Sequence, residues 1–233
     1  MTVVAIHQPN YAPWLGYFAK MARADVFIFL DDVQYSKNSY INRVQVDAGG
    51  TARWLTVPVS YSFGDPIKMV PASSQAWRRS HLDTLKTLYT GAAHFNSIWE
   101  WLVDVYGGLP DTNLADSNQM LIEAIAAKLG LSRRFVRSSE FETGPATGDD
   151  RLIALLRAVG KDVKYLSGKG GSNYQDPAKF AAAAIDLLYN EFTHPAYDQG
   201  RSPFLPGLSI FDALFHIGFE HAAALVVPVS AKA

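Results

Sequence analysis

The sequence predicts one α/β domain of Rossmann-like type, in which helices flank a mostly parallel sheet. Continuous apolar runs at residues 3–6 and 26–30 are typical of strands that are buried on both faces of such a sheet. Between them, residues 14–23 carry apolar side chains at helical spacing, so the three segments predict a compact βαβ unit. The length of 233 residues lies within the range of one such domain.

Shorter patterns predict the remaining elements. Apolar and polar residues alternate at 44–46, and an apolar run follows at 54–59. Gly49 and Gly50 lie between these two segments, which is typical of a β-hairpin. Further strands are predicted at 135–138 and 163–166, and helices at 75–89, 94–106, 114–129, from 149 or 150 to 156, and 209–226. The expected N-caps are Ser73 or Ser74, Asn113 or Asp116, Asp149 or Asp150, and Ser209. Residues 75–130 are then roughly a helical insert within a single domain over 1–233.

Bulk composition argues against several functional classes. A net charge of −1 and a pI near 6.6 provide no basic field, so neither nucleic acid nor an anionic membrane surface is an expected partner. The absence of cysteine removes disulfides, thiolate nucleophiles and cysteine-based metal sites, and it fits a cytoplasmic location. Neither a signal peptide nor a run of about 18 apolar residues is found, so no stable membrane insertion is expected. The many aromatic residues are compatible with a homo-oligomer.

A first polar cluster follows the first predicted strand and contains His7, Gln8, Asn10 and Tyr11. Ligands of open α/β sheets bind at the carboxyl ends of strands. A histidine there can act as a general base, an oxyanion donor or a phosphate contact, and the two amides add donors. These groups can also simply close a turn. Because three polar side chains lie within five residues, we predict that His7, Gln8 and Asn10 are catalytic and that Tyr11 contacts substrate.

A second polar cluster follows the second predicted strand. Asp31 and Asp32 can hold Mg²⁺ or supply a general base, although a strand-ending turn is the alternative. Neighbouring side chains of an extended chain point in opposite directions, so only one of these predicted catalytic carboxylates is expected to face a site. The loop that follows offers groups that can grip a phosphate or carboxylate and stack on a base or sugar. Its predicted substrate-binding residues are Gln34, Lys37, Tyr40, Asn42 and Arg43.

A third candidate is the glycine-rich segment SGKGGSNY at 167–174, which follows a predicted strand. Backbone N–H groups of such turns can cradle an anion, so we predict that Ser167, Gly168 and Tyr174 bind substrate. The segment lacks the order of a Walker A loop, and Asn173 stands where a dinucleotide-binding fingerprint has its third glycine. A flexible loop is the alternative.

Histidines elsewhere in the chain give weaker signals. His81 lies on the apolar face of a predicted helix; it is a candidate substrate contact, with a hydrogen-bonded core histidine as the alternative. His216 and His221 are five residues apart, which does not fit a shared zinc ion on one helix. No metal site is therefore predicted, and the sequence names no cofactor.

Six segments together resemble the WbqC-like family of bacterial proteins and span nearly the whole chain. They are IHQPNYAPWLGYF, DVFIFLDDVQYSKNSYINR, WLTVPV, YLSGKGGSNY, HPAYDQ and LSIFDALFHIGFE. The positions carried over from the family are His7, Gln8, Pro9, Asn10, Tyr11, Asp31, Asp32, Gln34, Lys37, Asn42, Arg43, His81, Ser167, Gly168 and Tyr174. One departure is Tyr40, where a tryptophan is expected, but the aromatic character is kept.

The resemblance implies a role in making O-antigen, lipopolysaccharide or another surface glycan, since such genes surround those of family members. We therefore predict a transferase that adds an acyl-type group to a nucleotide-linked amino sugar, a small-molecule substrate. Two alternatives stay open: ATP- and Mg²⁺-dependent nucleotidyl transfer or ligation, and a non-catalytic module that binds sugar nucleotides. A weaker similarity to HxGH nucleotidyltransferases lacks the H-x-G-H pair, since Asn10 and Tyr11 follow Gln8 and Pro9.

Overall fold

The computed structural model describes residues 1–227, and its centre is a five-stranded, wholly parallel sheet. The strands of this sheet are β1 (Thr2–His7), β2 (Val26–Phe29), β5 (Arg134–Arg137), β6 (Val163–Gly168) and β7 (Asp186–Asn190). A separate antiparallel hairpin consists of β3 (Arg43–Asp47) and β4 (Ala52–Thr56). The helices are α1 (Leu15–Ala22), α2 (Ala76–Tyr89), α3 (Phe95–Gly108), α4 (Leu114–Lys128), α5 (Gly148–Val159), α6 (Pro177–Ala182) and α7 (Ile210–Val226). The predicted α/β class with a mostly parallel sheet is confirmed.

The order of the strands in space is β5-β2-β1-β6-β7, so β1 lies at the centre. The chain moves outward from β1 through β2 to β5, and then returns to the other side of β1 with β6 and β7. Numbered along the chain, this is the 3-2-1-4-5 order of a doubly wound sheet. The direction of winding reverses between β1 and β6, and a crevice opens there at the carboxyl ends of the two strands.

Alternate residues of the central strands enter two different cores. In β1, Ala5 belongs to the large core that contains α1, α3, α4 and α7, whereas Val4 and Ile6 belong to a smaller core with α5 and α6. In β2, Phe27 enters the first core and Ile28 the second. Because both faces are covered, every residue of β2 is buried, which explains its continuous apolar sequence.

Most predicted helix ends agree with the structure. The Asn113 side chain caps α4 by accepting a hydrogen bond from Asp116 N at 2.9 Å, and the Ser209 side chain caps α7. The predicted caps of α2, Ser73 or Ser74, are wrong, because Gln75 occupies that position. The predicted cap of α5 is also wrong, because Thr147 occupies that position and Asp149 and Asp150 lie in the first turn. There the two carboxylates accept hydrogen bonds from the α6 region, and the positive end of the helix dipole favours their charge.

Three features of the C-terminal third were not predicted. Helix α6 and strand β7 are short, and β7 is an edge strand whose alternating, half-exposed residues give a weak pattern. The predicted last helix is interrupted at Gly218, where φ is +73°. A Cβ at Gly218 would lie 2.8 Å from the His94 ring, so glycine permits both the break and the contact. Within residues 1–227, no helix is long and apolar enough to cross a membrane.

Candidate functional site

A cavity of about 690 Å³ opens where the winding of the sheet reverses. The ends of β1 and β6 form its floor, and the start of α5 and the glycine-rich turn after β6 form its sides. Its polar and glycine lining includes His7, Gln8, Lys20, Arg151, Ser167 and Gly171. The first and third predicted clusters, which are 160 residues apart in sequence, therefore meet in one site.

His7 is the last residue of β1 and forms part of the cavity wall. Its Nδ1 donates to the Gln8 carbonyl oxygen at 3.1 Å, which leaves the lone pair on Nε2. The ring packs edge-on against Tyr17, with 4.7 Å between the ring centroids. Burial, reinforced by the nearby charge of Lys20, lowers the pKa of His7 to about 3. The imidazole is thus neutral at physiological pH, and its free nitrogen can accept a proton or a hydrogen bond.

Lys20 also lines the cavity, and nothing in its sequence context singled it out. Its Nζ donates to the Ile6 carbonyl oxygen at 2.7 Å, and the residue is buried. Burial lowers the pKa of this ammonium group to about 7. In the sequence it lies in the amphipathic helix α1, where a lysine is normally a solvated residue.

The glycine-rich turn after β6 lies close against the strand that it follows. A Cβ at Gly171 would collide with the Ser167 hydroxyl and would lie 2.5 Å from Gln175 Oε1, so only glycine fits there. Gly168 has open space beside it, and Tyr174 is 75% exposed at the cavity mouth. This tight packing fixes the backbone of the turn at the cavity wall.

Arg151 supplies a guanidinium group to the opposite wall. Its Nη2 lies 2.6 Å from Asp32 Oδ2, and its buried Nε has no partner among the described residues. The Ser138 hydroxyl lies 3.1 Å from Asp31 Oδ1 and 2.5 Å from Asp32 Oδ1. Of the two predicted catalytic carboxylates, Asp31 therefore accepts hydrogen bonds and Asp32 also forms an ion pair, and neither lines the cavity itself. Arg151 was not predicted, because an arginine in a helix is usually solvated.

An aromatic row extends from His7 along the outside of the molecule. The centroid of the Trp14 ring lies 6.3 Å from that of His7 and 5.3 Å from that of Tyr40, and Trp54 lies 5.7 Å beyond Tyr40. The Arg43 guanidinium lies 4.1 Å from the Trp54 ring centroid. Tyr40 and Trp54 are both exposed, so the predicted loop residues Tyr40 and Arg43 form a platform that adjoins the His7 side of the cavity.

A separate hydrogen-bond network in the interior includes Tyr11 and His81, two of the predicted substrate-binding residues. The His81 Nε2 donates to the Thr56 carbonyl oxygen at 3.0 Å, and its Nδ1 accepts from the Tyr11 hydroxyl at 2.7 Å. The Tyr106 hydroxyl completes the chain by binding the Tyr11 hydroxyl. Burial lowers the pKa of His81 to about 4, which keeps it in the neutral form that this chain requires. The network lies away from the cavity lining.

Four other predicted site residues also lie outside the cavity. Asn10 is buried, and Asn42 is buried with its Nδ2 donating to the Val57 carbonyl oxygen at 3.0 Å. Gln34 and Lys37 are exposed on the loop that follows β2. Their assignment as catalytic or substrate-binding residues remains a prediction. Within the part of the chain that the structure describes, no group of three or more His, Cys, Asp or Glu side chains is arranged to hold a metal ion.

Comparison with known proteins places the chain in a family. The sequence profile of the WbqC-like protein family matches residues 8–224. The chain belongs to the WbqC-like family. The WbqC-like chain is also 34% identical over 223 residues to Uncharacterized protein Rv1507c of Mycobacterium tuberculosis (strain ATCC 25618 / H37Rv), which covers 94% of this chain and 96% of that protein. No solved structure matches it. The region matched by the family profile includes the cavity lining from Gln8 onward and the rings of Trp14, Tyr40 and Trp54, and it begins one residue after His7.

Proposed function

We propose that this WbqC-like protein is a transferase of surface-glycan biosynthesis, of the O-antigen or lipopolysaccharide type, that adds an acyl group to a nucleotide-linked amino sugar. The observation that carries the proposal is the cavity at the reversal point of a 3-2-1-4-5 parallel sheet, because nucleotides bind at this place in doubly wound folds. Cytoplasmic action is part of the proposal, since nucleotide-linked sugars are made and used there.

The chemistry of the cavity wall suits such a substrate. The fixed turn around Gly168 and Gly171 and the Arg151 guanidinium provide donors for a diphosphate. Tyr40 and Trp54 offer exposed ring faces on which a base or sugar can stack. Gln8, which lines the cavity, can donate its amide to a developing oxyanion. Of the two loop cations predicted from sequence, Arg43 lies at the aromatic platform. Lys37 is exposed outside the cavity, so Arg151, which lines the cavity, is better placed to bind the diphosphate.

His7 is the proposed base for the transfer step. The sugar amine attacks the carbonyl carbon of an activated acyl donor such as a thioester, and a C–N bond forms. The Nε2 of His7 accepts a hydrogen bond from this nitrogen and relays its proton directly to the leaving thiolate as the C–S bond breaks, because a ring with a pKa near 3 does not keep the proton. A base and an oxyanion donor of this kind each contribute about 10²–10³ in rate.

The first test measures the thermal stability of the protein with nucleotide-linked amino sugars, the matching nucleotides, and acyl thioesters. A ligand at 100 times its Kd stabilises the folded state by about 2.7 kcal/mol, which shifts the melting temperature by several degrees. We expect a nucleotide-linked amino sugar to give the largest shift and a thioester to yield the acylated sugar by mass spectrometry. No shift with any nucleotide-linked sugar at millimolar concentration would contradict the proposal.

A substitution then separates binding from chemistry. His7→Ala should retain the thermal shift and lose turnover by about 10²–10³-fold, because only the base is removed. His221→Ala is the matched control, since this exposed histidine lies on α7 away from the cavity and should leave both unchanged. Full turnover by His7→Ala would remove His7 from the mechanism.

ATP-dependent nucleotidyl transfer is the second candidate. The strand order also favours this reaction, because a doubly wound sheet of this order is typical of proteins that bind nucleotides in general. In that reaction the cavity would hold ATP with Mg²⁺. A thermal shift with ATP that requires Mg²⁺, in the absence of any shift with nucleotide-linked sugars, would favour this candidate.

A further inference from the structure

Lys20 is buried in the wall of the cavity without a negatively charged partner. The residue is 3% exposed, and its Nζ donates to the neutral Ile6 carbonyl oxygen. Within residues 1–227, every ion pair closer than 4.0 Å involves other residues. Burying the charged ammonium form in this way costs free energy that burying the neutral amine does not.

The charged and titratable groups around Lys20 do not offset this cost. Those that line the same cavity are His7, Asp149, Arg151, Tyr165 and Tyr174. His7 is neutral and Arg151 is paired with Asp32. The Asp149 carboxylate accepts a hydrogen bond from Asp176 N at 2.9 Å and forms no ion pair with Lys20 within 4.0 Å, and burial alone accounts for the lowered pKa of Lys20. On its own helix, Tyr17 donates to the Gln8 carbonyl oxygen and Arg23 to Asn190.

The reaction proposed above needs a second base. The amine of an amino sugar is an ammonium ion at neutral pH, and it must lose two protons to become an amide. The leaving thiolate takes up one of them, which His7 can deliver. The other must leave before attack, because a protonated nitrogen has no lone pair with which to form the C–N bond.

We propose that Lys20 is a catalytic base that takes the first proton from the bound ammonium group of the acceptor sugar. The free amine of Lys20 becomes an ammonium ion, and the sugar nitrogen becomes the nucleophile. After the amide has formed, Lys20 releases the proton to solvent. This assignment rests on the proposed function for the identity of the acceptor, but the state of Lys20 itself can be measured without any substrate.

The first experiment follows the modification of each lysine by trace acetic anhydride from pH 5 to 11, with peptide mass spectrometry. Because only neutral amines react, the midpoint of each rate profile reports the pKa of that amine. We expect a midpoint near 7 for Lys20, well below the value of about 10.4 that is ordinary for a lysine side chain. A Lys20 midpoint near 10, or no modification of Lys20 at any pH, would overturn the proposal.

The second experiment compares Lys20→Met with Lys161→Met in turnover and in ligand binding. Lys20→Met should keep its affinity for the nucleotide-linked sugar within about three-fold and lose about 10²-fold in kcat/KM at pH 7. The loss should shrink above pH 9, where the acceptor amine is neutral without help, and a merely structural role would not produce that recovery. Wild-type turnover at pH 7 would exclude Lys20. If no nucleotide-linked sugar binds the wild-type protein, the proposed function fails, whatever the acetylation result.

Discussion

His7 and His81 are neutral for the same reason, but their free nitrogens face different surroundings. Burial is the main cause of the lowered pKa in each case. Both nitrogens of His81 are engaged by Thr56 and Tyr11, so this ring is a structural connector. Only Nδ1 of His7 is engaged, and its Nε2 is not among the fully buried unpaired atoms of the described chain. An unused lone pair beside a cavity is what distinguishes a candidate base from a core histidine.

The lowered pKa of His81 predicts acid destabilisation. The unfolded chain binds a proton at this residue near pH 6.5, whereas the folded chain does so only near pH 4. Between these values the unfolded state binds more protons, so the free energy of unfolding falls as the pH falls, by up to about 1.4 kcal/mol per pH unit. Urea denaturation at pH 7, 6 and 5 should show this slope, and His81→Gln should reduce it. An unchanged slope in His81→Gln would contradict the assignment.

The ion pair of Arg151 with Asp32 should contribute measurably to stability. The two side chains are 19% and 17% exposed, so Arg151→Met leaves a mostly buried carboxylate without its partner. We expect a loss of about 1–3 kcal/mol in the free energy of unfolding by urea denaturation. Arg79→Met is the matched control, because the side chains of its pair with Asp83 are 83% and 59% exposed and such a pair contributes about 0.5 kcal/mol. Equal effects of the two substitutions would refute this account of Arg151.

At the scale of elements, the cavity depends on how the glycine-rich turn packs against β6. The order of its glycines excludes the familiar phosphate-binding fingerprints, yet the turn still lies at a strand end beside the cavity. Its glycines are not equivalent: Gly171 is confined by Ser167 and Gln175, whereas Gly170 has open space beside it. The sequence predicts the turn but cannot distinguish these roles, because the distinction depends on contacts made after folding.

Gly171→Ala should displace the turn and weaken ligand binding. The added methyl group would meet the Ser167 hydroxyl and the Gln175 carboxamide, so these side chains or the backbone of the turn would have to move at the cavity wall. We expect at least a ten-fold rise in the Kd of the nucleotide-linked sugar, measured by isothermal titration calorimetry. Gly170→Ala adds the same methyl group in open space and should bind normally. Equal Kd values in the two variants would show that the turn does not form the binding wall.

For the whole molecule, the parallel sheet was predictable because residues 3–6 of β1 and all of β2 form continuous apolar runs, which are typical of a covered sheet. The edge strand β7 was not, because half-exposed edge residues leave a weak pattern. Site residues that follow strands could be predicted, and His7 and Ser167 do meet in the cavity. Lys20 and Arg151 belong to helices, and only the packing of α1 and α5 on the sheet directs their side chains to the cavity.

The cavity between β1 and β6 is the proposed functional site. Its most direct test is to map the backbone NMR shift changes that a nucleotide-linked amino sugar causes in isotope-labelled protein. We expect the largest changes to cluster at His7, Gln8, residues 167–171 and Arg151. Changes that instead cluster at the separate cavity lined by Asp47, Arg201 and His216 would contradict it.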